Sequence, residues 1–252
     1  MTTTLLDIKT DPVTKKNINE TIESFLNKTD SKNCFQIISL NPEIIVETLH
    51  SSEYKQVVNE AQIRLVDGVG VTVAGMILGT AVGERYPGVE LMEELMSVAS
   101  ERKLRVLVVG GVGGVAEQFI KQQQPRYPGA VFKSSQAFKN IKKQTPEEEK
   151  NFIQLLSAFQ PKLLFVAFGA PFQDILIYKH KDKLTEAVAM GVGGGVDFLA
   201  GGVRRAPPLL QALGLEWLFR LFVQPWRWKR QLRLIEFIYL VFKEKLKKIF
   251  TE

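Results

Sequence analysis

The sequence predicts an α/β fold in which a mostly parallel β-sheet is flanked by helices and followed by a basic, amphipathic helical appendage. Short apolar runs typical of buried strands alternate along the chain with stretches whose apolar residues have helical spacing. Glycine-rich turns follow several of the strand-like runs. With 45% hydrophobic and 24% charged residues over 252 positions, the chain has enough apolar content for a sizeable core.

The first predicted elements lie between residues 34 and 103. Residues 34–40 (CFQIISL) form a buried strand, and Asn41 caps the helix that begins at Pro42. Residues 63–71 (IRLVDGVGV) form a strand that breaks into a glycine turn. Residues 88–103 have apolar residues at helical spacing and basic residues near their end, which predicts a helix.

The second half of the body repeats this alternation. Residues 104–124 predict a strand, a glycine turn and a helix, and residues 130–138 predict the next strand. Residues 145–160 predict a helix that begins with a threonine cap, a proline and three glutamates. Residues 161–174 and 187–203 each predict a buried strand that ends in a turn. This order of elements is typical of a Rossmann-like sheet.

Charge separates the last fifth of the chain from the rest. Residues 203–252 carry 11 Lys/Arg and 4 Asp/Glu, whereas the other 202 residues carry 22 and 23. We therefore predict an α/β domain over residues 1–202 and an appendage over residues 203–252 that meets a polyanionic surface. The nearly neutral body argues against nucleic acid as that surface.

The cysteine and histidine content limits which disulfides and metal sites the chain can form. Cys34 is the one cysteine, so an internal disulfide is excluded and a reducing cytoplasm fits. No basic segment followed by an apolar stretch opens the chain, so no signal peptide is predicted. His50 and His180 lack metal-ligand spacing, and His180 is predicted to be a solvated helix residue. We expect a metal-independent reaction without a cofactor.

Two glycine turns point to a ligand. Gly111 and Gly113 belong to a G-x-G-x-x-A string between a predicted strand and helix, where glycines let the backbone approach a diphosphate. The acidic residue expected about 20 positions further on in NAD-binding proteins is missing. Asp197 follows the second glycine cluster. A phosphate-bearing ligand, an NAD(P)-binding oxidoreductase and ligand-free turns with a capping aspartate remain alternatives.

Further polar residues end the predicted strands. Asp67 follows IRLV and precedes a glycine, where a carboxylate acts as a general base or binds a sugar hydroxyl. Ser39 and Asn41 end the strand before it, and Gln173 ends the turn FGAPFQD. Arg85 carries a guanidinium suited to phosphate. Caps, turns and solvated charges are the alternative roles for these residues.

The tail from residue 224 to 250 is too polar to span a membrane. Its longest uncharged run covers residues 237–242, whereas a span needs about 20 predominantly apolar residues. Together with Trp226 and Trp228, an apolar stripe at helical spacing predicts a helix that lies in a membrane interface. A helix packed on the body or on a second copy is the alternative. The stripe consists of Leu232, Ile235, Tyr239, Phe242, Leu246 and Ile249.

Taken in order, several strings resemble one known family. They include SLNPEIIVET, VDGVGV, GERYPGVELMEEL, LVVGGVGGVAEQF, LLFVAFGAPFQD, GVGGGVDFLAG, RRAP and GLEWLFRLFVQPWRWKR. The chain is similar to the WecG/TagA/CpsF glycosyltransferases over roughly residues 5 to 233, nearly its whole length. Each string alone is weak, but the ordered set is specific.

The resemblance implies an inverting transfer of an N-acetylmannosamine-type sugar from a UDP donor. The acceptor is a polyprenyl-diphosphate-linked N-acetylglucosamine at the cytoplasmic face of the membrane, in teichoic acid, common antigen or capsule synthesis. The enzyme is then peripheral on the inner face of the cell membrane, and a homo-oligomer is left open. Glu90 stands where the family usually has aspartate, and FKSSQAFKN lacks the usual glycine-containing stretch. Both departures concern the identity of the donor sugar, and a uronic acid form of N-acetylmannosamine is left open as the donor.

The resemblance also implies roles for the site residues. Asp67 is the catalytic base, and Asp197 lies near the uridine. Gly111 and Gly113 hold the nucleotide or its diphosphate. The resemblance adds further substrate-binding positions, among them appendage arginines for the acceptor diphosphate. These positions are Ser39, Arg85, Gln173, Arg220, Arg227 and Arg230.

Overall fold

A computed structural model gives the fold, and it describes residues 3–28, 32–111, 113–203, 205–212, 214–225 and 228–251. The described strands are β1 (Thr3–Leu5), β2 (Ile8–Thr10), β3 (Phe35–Leu40), β4 (Ile63–Val66), β5 (Arg105–Gly110), β6 (Val131–Ser135), β7 (Leu163–Ala167) and β8 (Val188–Gly191).

Helices connect these strands and cover the sheet. The described helices of the body are α1 (Lys15–Leu26), α2 (Pro42–His50), α3 (Ser52–Glu60), α4 (Val69–Leu78), α5 (Gly88–Glu101), α6 (Val115–Gln123), α7 (Pro146–Phe159), α8 (Phe172–Lys179) and α9 (Gly195–Leu199). Three more helices follow, α10 (Pro208–Ala212), α11 (Glu216–Val223) and α12 (Trp228–Thr251).

The main sheet has six strands in the order β4-β3-β8-β7-β5-β6, and every neighbouring pair is parallel. A small antiparallel hairpin of β1 and β2 stands apart from it. Since parallel strands need crossover helices that cover both faces, the strands β3, β4, β5, β7 and β8 are almost entirely buried. The predicted α/β class with a mostly parallel sheet is confirmed.

Local signals set the helix starts. The Asn41 side chain accepts a hydrogen bond from the Ile44 backbone N–H at 3.0 Å, with Pro42 in the first turn. Thr145 and Glu148 form a reciprocal capping box at the start of α7. One predicted boundary is wrong, because β4 ends at Val66 and the apolar residues from Val69 onward belong to α4. Gly68 allows the turn to be followed directly by a helix, and a short apolar run does not separate strand from buried helix.

A buried ion pair attaches the N-terminal segment to the sheet. The Arg64 side chain in β4 is only 8% exposed, and its Nε and Nη2 donate to Oδ2 and Oδ1 of Asp11 at 2.9 and 2.8 Å. Asp11 Oδ2 also accepts from the Arg64 backbone N–H at 2.7 Å. Removal of the carboxylate would therefore leave a buried guanidinium without its counter-ion.

Asp11→Ala is expected to lower the free energy of unfolding by about 3–5 kcal/mol, because the charge of Arg64 stays buried. Urea denaturation followed by circular dichroism measures the loss. The matched control is Lys55→Ala in helix α3, which removes the partner of the 79% exposed Asp7 and is expected to cost less than about 1 kcal/mol. Equal losses in the two variants would contradict the assignment.

The last helix packs on the body with one face. Phe237 and Val241 of α12 are each 3% exposed and join the apolar core formed with α2 and α4. Arg233 pairs with Glu47, and Glu236 Oε1 lies 2.9 Å from His50 Nε2. These contacts hold α12 along the groove between α2 and α4.

The opposite face of α12 is exposed. Every residue of the predicted apolar stripe is between 54% and 64% exposed, although the stripe consists of large apolar side chains. Within the described part of the chain, no helix is long and apolar enough to cross a membrane. The helix therefore presents one apolar face to the core and a second one to its surroundings.

Candidate functional site

The carboxyl ends of the parallel strands form one edge, and the chain reverses its direction across the sheet there. The turn after β5, which contains Gly111, Gly113 and Gly114, leads outward to β6, whereas the turn after β7, residues 168–171, leads inward to β8. The two turns are neighbours, since the Gly111 N–H donates to the carbonyl of Ala167 at 3.1 Å. Open α/β sheets bind ligands in the crevice at such a point.

Asp67 lies at the same edge, directly after β4. Its backbone N–H donates to the Leu40 carbonyl at 2.9 Å, and its Oδ1 accepts from the Gly88 N–H at 3.3 Å. The residue is partly exposed, while its carboxyl group is surrounded by protein atoms. Burial raises the pKa of Asp67 to about 6, and the Gly88 hydrogen bond works against this rise. A carboxylate with this pKa is ionised at neutral pH and basic enough for proton abstraction.

Arg85 forms hydrogen bonds with backbone carbonyls beside Asp67. Its Nε donates to the Asp67 carbonyl at 3.3 Å, and its Nη1 donates to the Gln211 carbonyl in α10 at 3.2 Å. Its positive charge also lowers the pKa of Asp67. Arg85 thus joins the carboxyl end of β4 to the start of the predicted appendage.

Ser39 and Asn41 frame Asp67 from the adjacent strand β3. Ser39 Oγ lies 2.5 Å from the point that a Cβ atom on Gly88 would occupy, so a side chain at that position would displace the Ser39 hydroxyl. Asn41 is the α2 cap described above, and its side-chain oxygen is already an acceptor. Ser39 is partly exposed at the edge, next to the chain segment that bonds Asp67.

Gln173 joins two of the strand-end turns. Its Oε1 accepts from the N–H of Gly169 after β7 at 3.1 Å and from the N–H of Gly193 after β8 at 2.9 Å. Gln173 is 5% exposed, so the structure places it under the edge with its oxygen in use. This bridging role was not predicted from the sequence.

The glycine turn after β5 and Asp197 lie on the far side of the edge from Asp67. Gly111 has φ 83° and Gly113 has φ 69°, which are left-handed values that favour glycine. Asp197 is in the first turn of α9, and its carbonyl accepts from the Gly202 N–H at 3.0 Å. A Cβ atom on Gly113 would meet no atom of the described residues within 4 Å, so there is open space beside this glycine.

The strand order gives the site its length. Three strands, β3, β8 and β7, lie between β4 and β5. Four intervals of about 4.8 Å separate the two ends, which is roughly 19 Å. A ligand that reaches both Asp67 and the Gly111 turn must therefore be extended and made of several units.

An ionic chain next to Asp67 was missed by sequence reasoning. Arg205 Nε lies 3.5 Å from Glu216 Oε1, and Arg205 Nη2 lies 3.8 Å from Glu90 Oε1. Lys15 Nζ donates to the other oxygen of Glu90 at 3.0 Å. Glu216 raises the pKa of Asp67 and Arg205 lowers it. The strings RRAP and GLEWL that carry Arg205 and Glu216 were the available signal.

The contacts of the three predicted appendage arginines lie outside the part of the chain that the structure describes. Arg227 lies outside the described residues. Arg220 lies in α11 and Arg230 in α12, but their side chains are also outside the described part of the chain. Their roles stay predictions.

His180 differs from its prediction as a solvated residue. It ends α8 at 4% exposure, and its ring packs against Phe152 with 5.3 Å between centroids. Burial lowers its pKa. Helical position alone did not reveal that α7 covers this ring. In the described part of the chain, no group of three or more His, Cys, Asp or Glu residues is arranged to hold a metal ion.

Comparison with known proteins gives the relatives of this chain. Residues 3–250 match the family model described as the glycosyl transferase WecG/TagA/CpsF family. Two similar proteins are the N-acetylglucosaminyldiphosphoundecaprenol N-acetyl-beta-D-mannosaminyltransferases of Staphylococcus aureus strains NCTC 8325 / PS 47 and COL. Each is 30% identical over 246 residues, which cover 96% of this chain and 93% of the relative. These matches do not support the oxidoreductase alternative.

Proposed function

The chain belongs to the glycosyl transferase WecG/TagA/CpsF family, and on that premise we propose that it moves an N-acetylmannosamine-type sugar from a UDP donor to a polyprenyl-diphosphate-linked N-acetylglucosamine. The activity for which the similar staphylococcal proteins are named supports this acceptor. The observation that carries the chemistry is the enclosed carboxyl group of Asp67 at a strand end, with a pKa of about 6.

Asp67 acts as the general base of a single displacement. The acceptor hydroxyl oxygen attacks the anomeric carbon of the donor sugar while Asp67 takes the hydroxyl proton. The bond between the anomeric carbon and the UDP phosphate oxygen breaks as the new glycosidic bond forms. UDP leaves with the bonding electron pair, and the configuration at the anomeric carbon inverts. The Gly88 N–H holds Asp67 Oδ1 in place for this step.

The two ends of the edge divide the substrates between them. The donor nucleotide lies along the Gly111 turn and Asp197, where glycine backbone and the start of α6 suit a diphosphate. The sugar and the acceptor hydroxyl meet near Asp67 and Ser39. An extended nucleotide sugar fits a site whose ends are roughly 19 Å apart by strand spacing.

We place part of the recognition of the donor sugar near Glu90. Glu90 stands beside the site and already has Lys15 and Arg205 as ionic partners. This carboxylate is one methylene longer than the aspartate usual at the position, so Glu90 bears on which N-acetylmannosamine-type sugar, a uronic acid form included, the site accepts.

The acceptor reaches the site from the membrane. We assign Arg220, Arg227 and Arg230 to its diphosphate, because guanidinium groups suit phosphate oxygens. The exposed apolar stripe and the lysines of α12 support a helix resting on the inner face of the cell membrane. Arg85 bonds the backbone carbonyls of Asp67 and of Gln211 in α10, so the position of α10 and the geometry at Asp67 are connected.

The proposal is tested by a transfer assay with purified full-length protein. Radiolabelled UDP-N-acetylmannosamine and a short-chain lipid-diphosphate-N-acetylglucosamine are incubated together, and the label is expected to pass into the lipid-linked product. The lipid monophosphate is the matched control acceptor, and it is expected to react poorly because it lacks the second phosphate. Absence of transfer from this donor and from related UDP-sugars would refute the proposed function.

A further inference from the structure

Helix α4 of the body has an outer face that consists of apolar residues. Its sequence, VGVTVAGMIL, contains no charged residue. Val71, Ala74 and Leu78 are buried in the core that α4 forms with α2 and α12. Val73 and Met76 lie on the opposite side of the helix, where they are 47% and 76% exposed. Because a surface helix ordinarily carries charged or polar residues on its outer face, this face of α4 indicates a contact with another surface.

Helix α12 lies along one flank of α4. A Cβ atom on Gly70 would lie 4.0 Å from Cε1 of Phe237, near the start of α4. At the end of α4, the Leu78 carbonyl accepts a hydrogen bond from Lys248 Nζ at 3.0 Å. The two helices therefore run side by side in the same direction. Their exposed faces are neighbours over the whole of α4, which is about 15 Å long.

Ile238 connects the two exposed faces. On α12, Arg233 and Glu236 pair with residues of α2. Ile238 follows Glu236 by two residues, so it lies about 200° further round the helix, on the flank that adjoins α4. Its side chain is 47% exposed. The exposed apolar surface thus continues from the stripe of α12 across Ile238 to Val73 and Met76.

The charges around this surface suit a lipid bilayer with anionic head groups. Residues 203–252 carry 11 Lys/Arg and 4 Asp/Glu. Lys243 and Lys245 are exposed and flank the stripe of α12 on its two sides. Long lysine side chains reach the head groups while their apolar neighbours enter the bilayer. A symmetric contact between two copies would instead bring these lysines of both copies to one interface, where like charges repel.

We propose that the outer face of α4 rests on the bilayer together with the stripe of α12, so that the body as well as the appendage binds the membrane. Helix α4 begins at Val69, two residues after Asp67. Val73 is four residues further on, which is about 6 Å along the helix axis. Contact of α4 with the bilayer therefore holds Asp67 at a fixed height above the head groups. This consequence for a lipid-linked acceptor rests on the proposed function, whereas the bilayer contact does not.

Fluorescence quenching locates α4 relative to the bilayer. Full-length Met76→Cys is labelled with nitrobenzoxadiazole, which reacts with the introduced thiol because Cys34 is buried and burial raises its pKa to about 12. Phosphatidylglycerol vesicles with nitroxide-labelled acyl chains are then added. Emission is expected to shift to shorter wavelength and to fall about twofold or more, since an interfacial apolar face enters the acyl boundary. A label at Val131→Cys, on the edge strand β6, is expected to show neither change.

The positive control for quenching is a label at Phe242→Cys on the stripe. Quenching of this label without quenching at residue 76 overturns the proposal, because the bilayer contact would then be confined to α12. Absence of quenching at both positions overturns it as well. A spectral shift at residue 76 that needs no vesicles and disappears on dilution would assign the face of α4 to a second copy, and this result also overturns the proposal.

A shape-matched double variant measures how much α4 contributes to binding. Val73→Thr/Met76→Gln preserves side-chain size and helix propensity and makes both side chains polar. Sedimentation with phosphatidylglycerol vesicles is expected to show about 10–10²-fold weaker binding, since the two apolar side chains no longer gain by leaving water. Val131→Thr is the matched control, because Val131 is 48% exposed and Val73 is 47% exposed. Wild-type binding by the double variant, or an equal loss in the control, overturns the proposal.

Sugar transfer separates this proposal from the proposed function. With a short-chain acceptor in solution, Val73→Thr/Met76→Gln is expected to retain kcat within about twofold, because the changes lie outside the site. With a full-length polyprenyl acceptor in vesicles, its rate is expected to fall in parallel with vesicle binding. Full-rate transfer in vesicles would overturn the role of α4 in placing Asp67. If the wild-type protein transfers no sugar to the soluble acceptor, the proposed function fails, and quenching still decides whether α4 contacts the bilayer.

Discussion

Replacing Asp67 by asparagine is expected to lower kcat by about 10²–10⁴-fold while UDP binding stays within about twofold. Asparagine keeps the side-chain shape and an oxygen that can accept from the Gly88 N–H, but it cannot take the hydroxyl proton. Single-turnover transfer measures the rate, and calorimetric titration measures UDP binding. Asp182→Asn is the matched control, since Asp182 is exposed in the loop after α8. Wild-type turnover in Asp67→Asn would remove Asp67 as the base.

The pH dependence of sugar transfer tests the role of Asp67 as the base independently. Wild-type activity is expected to rise with pH through about 6, because burial raises the pKa of Asp67 to that value and the protonated acid cannot act as a base. The residual activity of Asp67→Asn is expected to lack this rise. An identical rise in both proteins would assign the titration to another group.

The raised pKa of Asp67 also predicts that the Asp67→Asn variant folds as stably as the wild-type protein. Because the pKa of Asp67 is higher in the folded protein than the ordinary 3.8, the folded state binds the proton more tightly. Stability from this group is then present at low pH and is lost as pH rises from about 4 through about 6. Asp67→Asn, which carries no charge there, is expected to be at least as stable as wild type at pH 7. A lowered melting temperature would contradict this assignment.

Replacing Phe242 and Leu246 by serine is expected to weaken binding to anionic vesicles about 10²–10⁴-fold, since each large apolar side chain contributes about 1.5–3 kcal/mol when fully buried. Both residues are more than half exposed on the outer face of α12, opposite the Phe237 and Val241 contacts with the body. Folding is therefore expected to survive the double change. Sedimentation with sucrose-loaded phosphatidylglycerol vesicles measures the partition.

The control for this experiment is Val131→Ser, which removes an exposed apolar side chain from β6 at the other edge of the sheet. Its vesicle binding is expected to match that of wild type. Unchanged binding of Phe242→Ser/Leu246→Ser would refute the membrane role of the stripe. The stripe would then be a contact between copies, which light scattering of the same variant would detect as a loss of oligomer.

Much of the site was accessible from sequence because its signals are local. An apolar run followed by Asp67 and a glycine predicts a carboxylate at a strand end, and parallel strands place such ends at one edge. Asn41 and Thr145 were predicted as caps since a cap depends on neighbouring backbone groups only. The α/β class follows from the same alternation of strand-like and helix-like runs.

Contacts between distant segments were beyond this reasoning. The role of Gln173 in substrate binding stays a prediction, but the bonds of its oxygen to Gly169 and Gly193, which are 4 and 20 positions away, were not predicted. The ionic neighbours Arg205 and Glu216 of Asp67 come from the far end of the chain. His180 became buried because α7 packs on it. Periodicity and spacing contain no information on which segments pack together.

Local sequence was enough to predict that this chain forms parallel strands, where several of its helices start, and that its basic excess and its apolar stripe share one tail. These properties depend on residues within a few positions of one another. Tertiary structure alone decided the strand order β4-β3-β8-β7-β5-β6, and with it the distance between Asp67 and the Gly111 turn. It also decided that α12 buries Phe237 and Val241 and leaves the stripe outside. Both outcomes arise from burial of apolar surface between segments far apart in the chain, which no single segment encodes.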